Sequence, residues 1–432
     1  MYMTDSAPGS DHPYPIRPVN PEELTEFRNA SMHAFHGSPM SDSDREQVLA
    51  RLEFDRTLAA FDGPDPIGTT AIYSFQLSVP GHQSLPAAGV TWVGVLPSHR
   101  RRGVLNSLMT RQLADIRRRG EPLAVLWASE APIYPRYGYG CAVWHADFTL
   151  HRGEGALAAT APLHTAQGRP RLRIAEPEAA LPELAKVYDA VLPYRPGIIA
   201  RNETWWRTLI YDPPEWRRGA SPLRCVLAED DDGPRGYALY SGQGNWDETA
   251  LPGGVLRVRE MMAADLAAGA ALWSDLLSRD LTAEFHVPKR PVDDPLRFML
   301  ADPRRARPRL KDALWVRIVD VPAALTGRGY SCAVDVVIEV RDRLIPSNAG
   351  RWHLSAAGVT AAGVASAASC VPTTAAADVA LDVTELGAAY LGGTTLGALA
   401  GGGLVTELRP GAVRQLSTAL SWDPAPWCPV DF

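Results

Sequence analysis

Apolar residues along the chain recur with two periods, and each change of period marks a predicted element. From Pro21 a helical spacing sets Leu24, Phe27 and Met32 among charged residues. Residues 58–61 and 68–75 are apolar and β-branched and predict strands, with a turn at Gly63-Pro64 between them. Residues 88–95 predict another strand, which runs through Leu96-Pro-Ser-His-Arg-Arg-Arg-Gly103 into a long helix. In that helix Val104, Leu105, Leu108, Met109, Leu113 and Ile116 follow i, i+3, i+4 spacing with arginines opposite, and Gly120 and Pro122 end it. Residues 123–128 predict a buried strand parallel to its predecessor, because a helix separates the two.

Past His151 the pattern loosens into a predicted linker, with Gly153, Gly155 and the stretch 167–170. A second region to about residue 308 predicts a helix over 181–192 and strands over 223–227 and 236–240. A strand over 255–258 then leads into a helix over 262–277, and a strand over 281–287 closes the region. The order echoes the first region, but Arg-Glu-Met-Met-Ala follows Val258, so a duplicated domain would have lost its Arg-x-x-Gly loop. From Leu314 strands are predicted over 315–319, 333–340 and 379–383, with helices near 385–391 and 412–420. The Pro- and Ser-rich residues 1–15 read as disordered, whereas the last twelve residues, with two tryptophans and Phe432, are too apolar for a free tail. The division is a disordered 1–15 followed by 16–160, 161–308 and 309–432, these three of α/β (α+β) class.

Composition narrows the class. Hydrophobic residues at 46% and charged residues at 21% are ordinary for a folded protein. The 43 Lys plus Arg against 49 Asp plus Glu argue against a general binder of nucleic acid or anionic membrane. Neither an apolar run of about 18 residues nor an apolar signal core in the first twenty is present, so the expectation is a cytoplasmic enzyme. Five scattered cysteines and ten histidines form no ligand-spaced cluster, so no metal is expected, and Asp230-Asp-Asp-Gly233 reads as a turn.

The chemistry concentrates in residues 93–103. A strand that ends in a tight turn at a helix start presents unpaired backbone N–H groups to one point, where the helix dipole adds positive charge. That suits a pyrophosphate, Arg100, Arg101 and Arg102 reinforce it, and Gly103 permits close approach. Neither GxxxxGK[ST] nor GxGxxG is present. Three tyrosines within six residues, Tyr134, Tyr137 and Tyr139, are equal candidates for a proton donor on this evidence.

The stretch Val93-x-Val95-x-Pro97-x-His99-Arg-Arg-Arg-Gly103, followed by Ala128-Ser-Glu130-x-x-Ile133-Tyr134-x-Arg136-Tyr137-Gly-Tyr-Gly140, resembles the GNAT N-acetyltransferases. More narrowly it resembles their actinobacterial Eis (enhanced intracellular survival) family. Leu105 departs from the small residue usual in GNAT loops, and the Eis family shares it. The resemblance extends through Trp205-Trp206, Asp382-Val-Thr-Glu-Leu-Gly387, Tyr390-Leu-Gly-Gly393 and the final Phe. It implies tandem GNAT domains, the second degenerate, and a C-terminal sterol-carrier-protein-like domain.

The resemblance also implies roles. Acetyl-CoA is the cosubstrate, held by the backbones of Val93 and Val95 and by Arg100, Arg101, Arg102, Gly103 and Leu105. Tyr134 is the general acid, suited to it by a phenol pKa of about 10. The terminal carboxylate of Phe432 is the base, and Ser129 reaches the sulfur or Tyr134. Asp431 and Trp92 give an acidic, aromatic acceptor pocket suited to cationic amines of the polyamine or aminoglycoside type. The competing readings are acetylation of a protein lysine and lipid binding by the C-terminal domain. A homo-oligomer, a hexamer by resemblance, is expected, with neither nucleic acid nor membrane as partner.

Overall fold

The structure, a computed structural model, describes residues 13–38, 40–164, 168–359 and 366–432. Among these the strands form three sheets. The first has the order Ile16–Arg17, Thr57–Asp62, Asp65–Val79, Gln83–Val95, Leu123–Trp127, Leu314–Ile318 and Gly140–Cys141. The hairpin Asp65–Val79/Gln83–Val95 outruns the apolar segments that predicted it. Its second half exposes Ser74 and Gln76 while burying Phe75, Leu77 and Val79, the period-2 pattern of a half-buried strand.

Two layers cover this sheet. The helix Val104–Arg118 packs Met109, Leu113 and Ile116 against Ile72, Val90 and Leu126. The helix Leu24–Phe35 packs Leu24 and Phe27 with Ala71 and Trp92. Ala71 and Ile72 are neighbours on one strand and so serve opposite faces.

The second sheet has the order Arg309–Asp312, Trp144–His151, Thr282–Pro291, Gly254–Ala263, Gly233–Gln243, Arg224–Asp230 and Arg171–Ala175. The third holds Ala368–Pro372, Gly350–Ala356, Val334–Arg341, Val379–Asp382 and Val405–Glu407.

The sheets divide the chain differently from the expected boundaries at 160 and 308. Trp144–His151 lies in the second sheet, between Arg309–Asp312 and Thr282–Pro291. Leu314–Ile318 lies in the first, between Leu123–Trp127 and Gly140–Cys141. The chain thus returns to its first sheet after completing the second. In the second region Met262 still lies in the strand Gly254–Ala263, and the helix runs Leu266–Leu277, because the Asp265 carboxylate caps it on Ala268 N at 2.8 Å. The helix Glu203–Ile210, which buries both Trp205 and Trp206, has too short an apolar period to be read from sequence. Of the segment 1–15, residues 1–12 lie outside the described residues. Tyr14 packs edge-on against His99, and Pro15 O accepts Phe61 N at 3.0 Å, so the chain is already docked two residues before the first sheet begins at Ile16.

One apolar core runs from the first sheet (Tyr73, Val125, Val316) into the third domain (Ile338, Leu386, Leu416) and takes in Cys428 and Val430 of the tail. The seam is glycine-dependent. A Cβ on Gly140 would stand 2.0 Å from Thr384 O, and one on Gly387 would stand 2.3 Å from Val316 O. Both obstacles are backbone and cannot swing aside. Gly387→Ala is therefore expected to cost about 1–3 kcal/mol through overpacking, read as a lower unfolding midpoint in denaturant. An unshifted midpoint would mean that the seam is looser than its geometry.

Candidate active site

The strand Gln83–Val95 pairs with Leu123–Trp127 only at Ala87–Leu123, Ala88–Ala124 and Gly89–Val125. Beyond Gly89 the two strands part, and the edge from residue 90 to 95 has no strand partner on that side among the described residues. A bulge opposite Thr69–Ala71 sharpens the fork. Trp92 sits there with φ of 54°, and its carbonyl accepts Thr69 Oγ1 at 2.7 Å.

A cavity of about 840 Å³ opens at the fork. Val93, Gly94 and Val95 form one wall, Arg100, Arg101, Gly103, Val104, Leu105 and Asn106 its end, and Ser129, Ile133, Tyr134 and Tyr137 the facing wall. The end wall explains the Arg-Arg-Arg-Gly run. Arg101 and Gly103 both take positive φ (62° and 83°), which brings the chain abruptly to the helix start. No side chain caps that start, so its N–H groups are left to a ligand. Arg102 differs from its neighbours. It does not line the cavity, and its Nη1 donates to Tyr14 Oη at 2.8 Å. His99 bonds Asp62 at 3.2 Å and Ser98 at 2.9 Å.

Tyr134 is buried at 4% exposure, on the short helix Ala131–Tyr137 that follows Leu123–Trp127. Burial raises its pKa, and a hydrogen bond with Ser129 opposes the rise in part. Tyr137 also lines the cavity and is raised by burial. Tyr139 lies outside it, wholly buried. The structure therefore separates two of the three candidate tyrosines from the third and sets one of them, Tyr134, on the cavity wall with Ser129.

The tail reaches the same fork from the other side. Trp127 Nε1 donates to Val430 O at 3.0 Å, and His145 Nε2 bonds Cys428 O at 3.0 Å. Burial pushes the His145 pKa down to about 4, so at neutral pH the ring is uncharged and carries its proton on Nε2. The Phe432 ring meets Phe75 edge-on at 4.9 Å. A Cβ on Gly89 would stand 3.3 Å from Phe432 Cε2 and 2.2 Å from Phe75 Cε2. The last paired residue of the fork is thus a glycine because two aromatic rings occupy its face.

The acetyltransferase (GNAT) domain family matches residues 15–142, a second GNAT family matches 197–318, and the sterol carrier protein domain matches 321–429. An uncharacterized N-acetyltransferase of Streptomyces avermitilis is 41% identical over 96% of this chain and 99% of its own. The N-acetyltransferase Eis of Mycobacterium tuberculosis is 33% identical over 84% of both chains. The crystal structure of Eis1 from Mycobacterium abscessus superposes with a TM-score of 0.79 at 33% identity, covering 97% of this chain and 100% of that one. The chain belongs to the Eis-like GNAT N-acetyltransferases. A GNAT structure from Anabaena variabilis, with a TM-score of 0.80 at 20% identity over 97% of this chain and 100% of that one, shares the fold.

GNAT domains use acetyl-CoA, and the cleft fits it: an unpartnered strand edge for amides, an uncapped helix start with two arginines for a pyrophosphate, and a buried phenol at the far end. Arg101→Ala is expected to weaken acetyl-CoA binding by about 10- to 100-fold by calorimetry, the value of a charge-assisted hydrogen bond. Arg102→Ala should weaken it far less.

The second GNAT domain shows what loss of this site looks like. Its strands Gly254–Ala263 and Thr282–Pro291 also pair in parallel and then part after Arg257–His286. There the Asp265 carboxylate caps the helix start in place of an anion, and Trp427 helps line the remaining cavity of about 280 Å³. No cluster of metal-ligating side chains occurs among the described residues, and no helix among them is long and apolar enough to cross a membrane.

Two placements depart from the sequence expectation for the acceptor side. Asp431 is ion-paired with Lys289, which neutralises the acid assigned to the pocket. Trp92 lies against Phe27 at 5.6 Å and beneath the Arg28 guanidinium at 5.1 Å. Sequence reading missed Phe35, Arg28 and Lys289. Phe35 lines the cavity and Arg28 stands seven residues before it, a helical repeat that did signal a shared face. Lys289 gave no signal: it occupies a bulge with φ of 57°, and its carbonyl accepts Trp427 Nε1 at 2.6 Å.

Proposed function

We propose that the chain transfers the acetyl group of acetyl-CoA directly to a primary amine of a small molecule, with both substrates bound together. The observation that carries this is the meeting, at one fork, of the unpartnered edge 90–95, the cavity wall with Tyr134 and Ser129, and the Phe432 ring beside Gly89. Acetyl-CoA brings the activated acyl group. The chain's part is to hold and to move protons. The backbones of Val93 and Val95 hold the amides, and Arg100, Arg101, Gly103 and Leu105 surround the pyrophosphate. The carboxylate that a chain ending at Phe432 carries takes the proton the amine loses as the C–N bond forms. Tyr134 Oη gives its proton to the sulfur as the C–S bond breaks.

The acceptor class expected from the family resemblance is a polycation of polyamine or aminoglycoside type. The geometry supports this reading in one respect, the aromatic wall, while Asp431 is spent on Lys289. We also propose assembly as a homohexamer, for which light scattering after gel filtration is the test. The deciding experiment follows thiol release from acetyl-CoA with polyamines, aminoglycosides, arylamines, amino acids and lysine peptides, with mass spectrometry counting the acetyl groups added. Turnover of small amines supports the proposal, and turnover of peptide lysines alone replaces it with protein acetylation.

A further inference from the structure

The acceptor side of the fork carries a guanidinium without an anion. Arg28 lies on the helix Leu24–Phe35, two turns before Phe35 and on the same face, and Phe35 lines the cavity. Its Cζ stands 5.1 Å over the Trp92 ring, next in sequence to the cavity residue Val93. Its Nε and Nη1 are shut off from solvent and have no hydrogen-bond partner. Burial lowers its pKa, with Asp44 the main opposing charge and Arg51 acting in the same direction as burial. A guanidinium does not shed its proton within a protein, so a half-buried one with two unpartnered nitrogens favours a negative partner.

The nearby acids are committed elsewhere. Asp44 closes the capping box of its own helix with Ser41. Glu53 spends both oxygens on Ser74, at 2.7 Å to its N–H and 2.6 Å to its hydroxyl. Asp431 is held by Lys289. A second cation, Arg51, stands 5.6 Å from the Trp205 ring, and Trp205 and Phe75 continue the aromatic wall to Phe432. A polycation entering here would meet two guanidiniums. An amine that also carries an anion would find a partner for Arg28 and rings for an aromatic body. The same positive charges disfavour an ammonium, which helps the amine lose its proton before attack.

We infer that the acceptor is a primary aliphatic amine that also bears an aromatic ring and a carboxylate, the carboxylate being bound by Arg28. The inference rests on the acetyltransferase reading of the cleft and names the substrate class for it. The test compares matched pairs that differ only in the carboxylate: phenylalanine against phenethylamine, and 4-(aminomethyl)benzoate against benzylamine. The expected result is a preference of about 10- to 100-fold in kcat/KM for the carboxylate-bearing member, the value of a charge-assisted pair. Arg28→Met should abolish the preference and Arg28→Lys should keep part of it, both with unchanged acetyl-CoA affinity as the check on folding. A wild type that prefers spermidine or the amine without a carboxylate overturns the inference and leaves the acetyltransferase standing. So does a ratio unmoved by Arg28→Met. If no amine in the set is turned over, binding decides: equilibrium dialysis of 3-phenylpropanoate should show a site in the wild type that Arg28→Met loses. Equal binding, or none, in both proteins overturns the inference.

Discussion

Replacement of Tyr134 by phenylalanine is expected to lower kcat by about 10²- to 10⁴-fold, the usual worth of a positioned general acid. The ring stays, so its edge contact with Tyr139 at 6.1 Å stays, and acetyl-CoA affinity should be unchanged. What is lost, on the proposed mechanism, is the proton given to the departing thiolate. The pH profile carries the same information with a definite sign. Burial disfavours the phenolate and raises the Tyr134 pKa above its ordinary value of about 10. The acid form therefore persists through neutral and mildly alkaline pH, and the alkaline fall in kcat should lie above about pH 10. Ser129→Ala removes the hydrogen bond that opposes this rise, so it should move the fall to still higher pH with a smaller loss of rate. A Tyr134→Phe protein with full kcat would take this residue out of the mechanism. Tyr137, the other tyrosine on the cavity wall, would then be next to test.

Appending one glycine after Phe432 converts its carboxylate to an amide and is expected to cost kcat a comparable factor, while acetyl-CoA binds as before. Deleting Phe432 moves the carboxylate back by one residue, about 3.5 Å along an extended chain, and should do similar damage. Phe432→Ala separates charge from packing. It keeps the carboxylate but empties the space beside Phe75 and Gly89, so the loss should be smaller and shared between kcat and KM. Anchors further up the tail are untouched by all three changes: Trp127 on Val430 O and His145 on Cys428 O. Full kcat in the glycine-extended protein would exclude the carboxylate as base.

What could be read from the chain without its fold was local. The strand–loop–helix unit at 88–118 announces itself because apolar period, turn residues and three arginines are contiguous, and each acts over a few residues. The degenerate second loop was legible for the same reason, since absence of Arg-x-x-Gly after Val258 is a local fact. Element ends drifted where a side chain overrode the pattern, as Asp265 did by capping the helix that apolar spacing placed from Met262.

Of the candidate site, sequence reading reached the wall made by 93–105 and, through the family resemblance, the facing wall with Ser129 and Tyr134. Val93 to Leu105 is a continuous segment, and the structure keeps it together except for Arg102, which the distant Tyr14 draws away. The other walls are made by contacts between remote segments. Trp127 meets Val430 across 303 positions, and no periodicity encodes which carbonyl an indole N–H will find. Leu314–Ile318 completes the first sheet because strand pairing is set by exposed backbone edges and core fit, to which neighbours in sequence contribute nothing. Electrostatics at the acceptor side depended most on tertiary structure. Composition counts Asp431 and Arg28 alike, but the fold neutralises the first with Lys289 and leaves two nitrogens of the second without a partner. The sequence by itself determined that the chain is a GNAT enzyme with one intact cofactor loop. The tertiary structure decided which charges near the fork have a partner, because a charge counts only after the packing has assigned one.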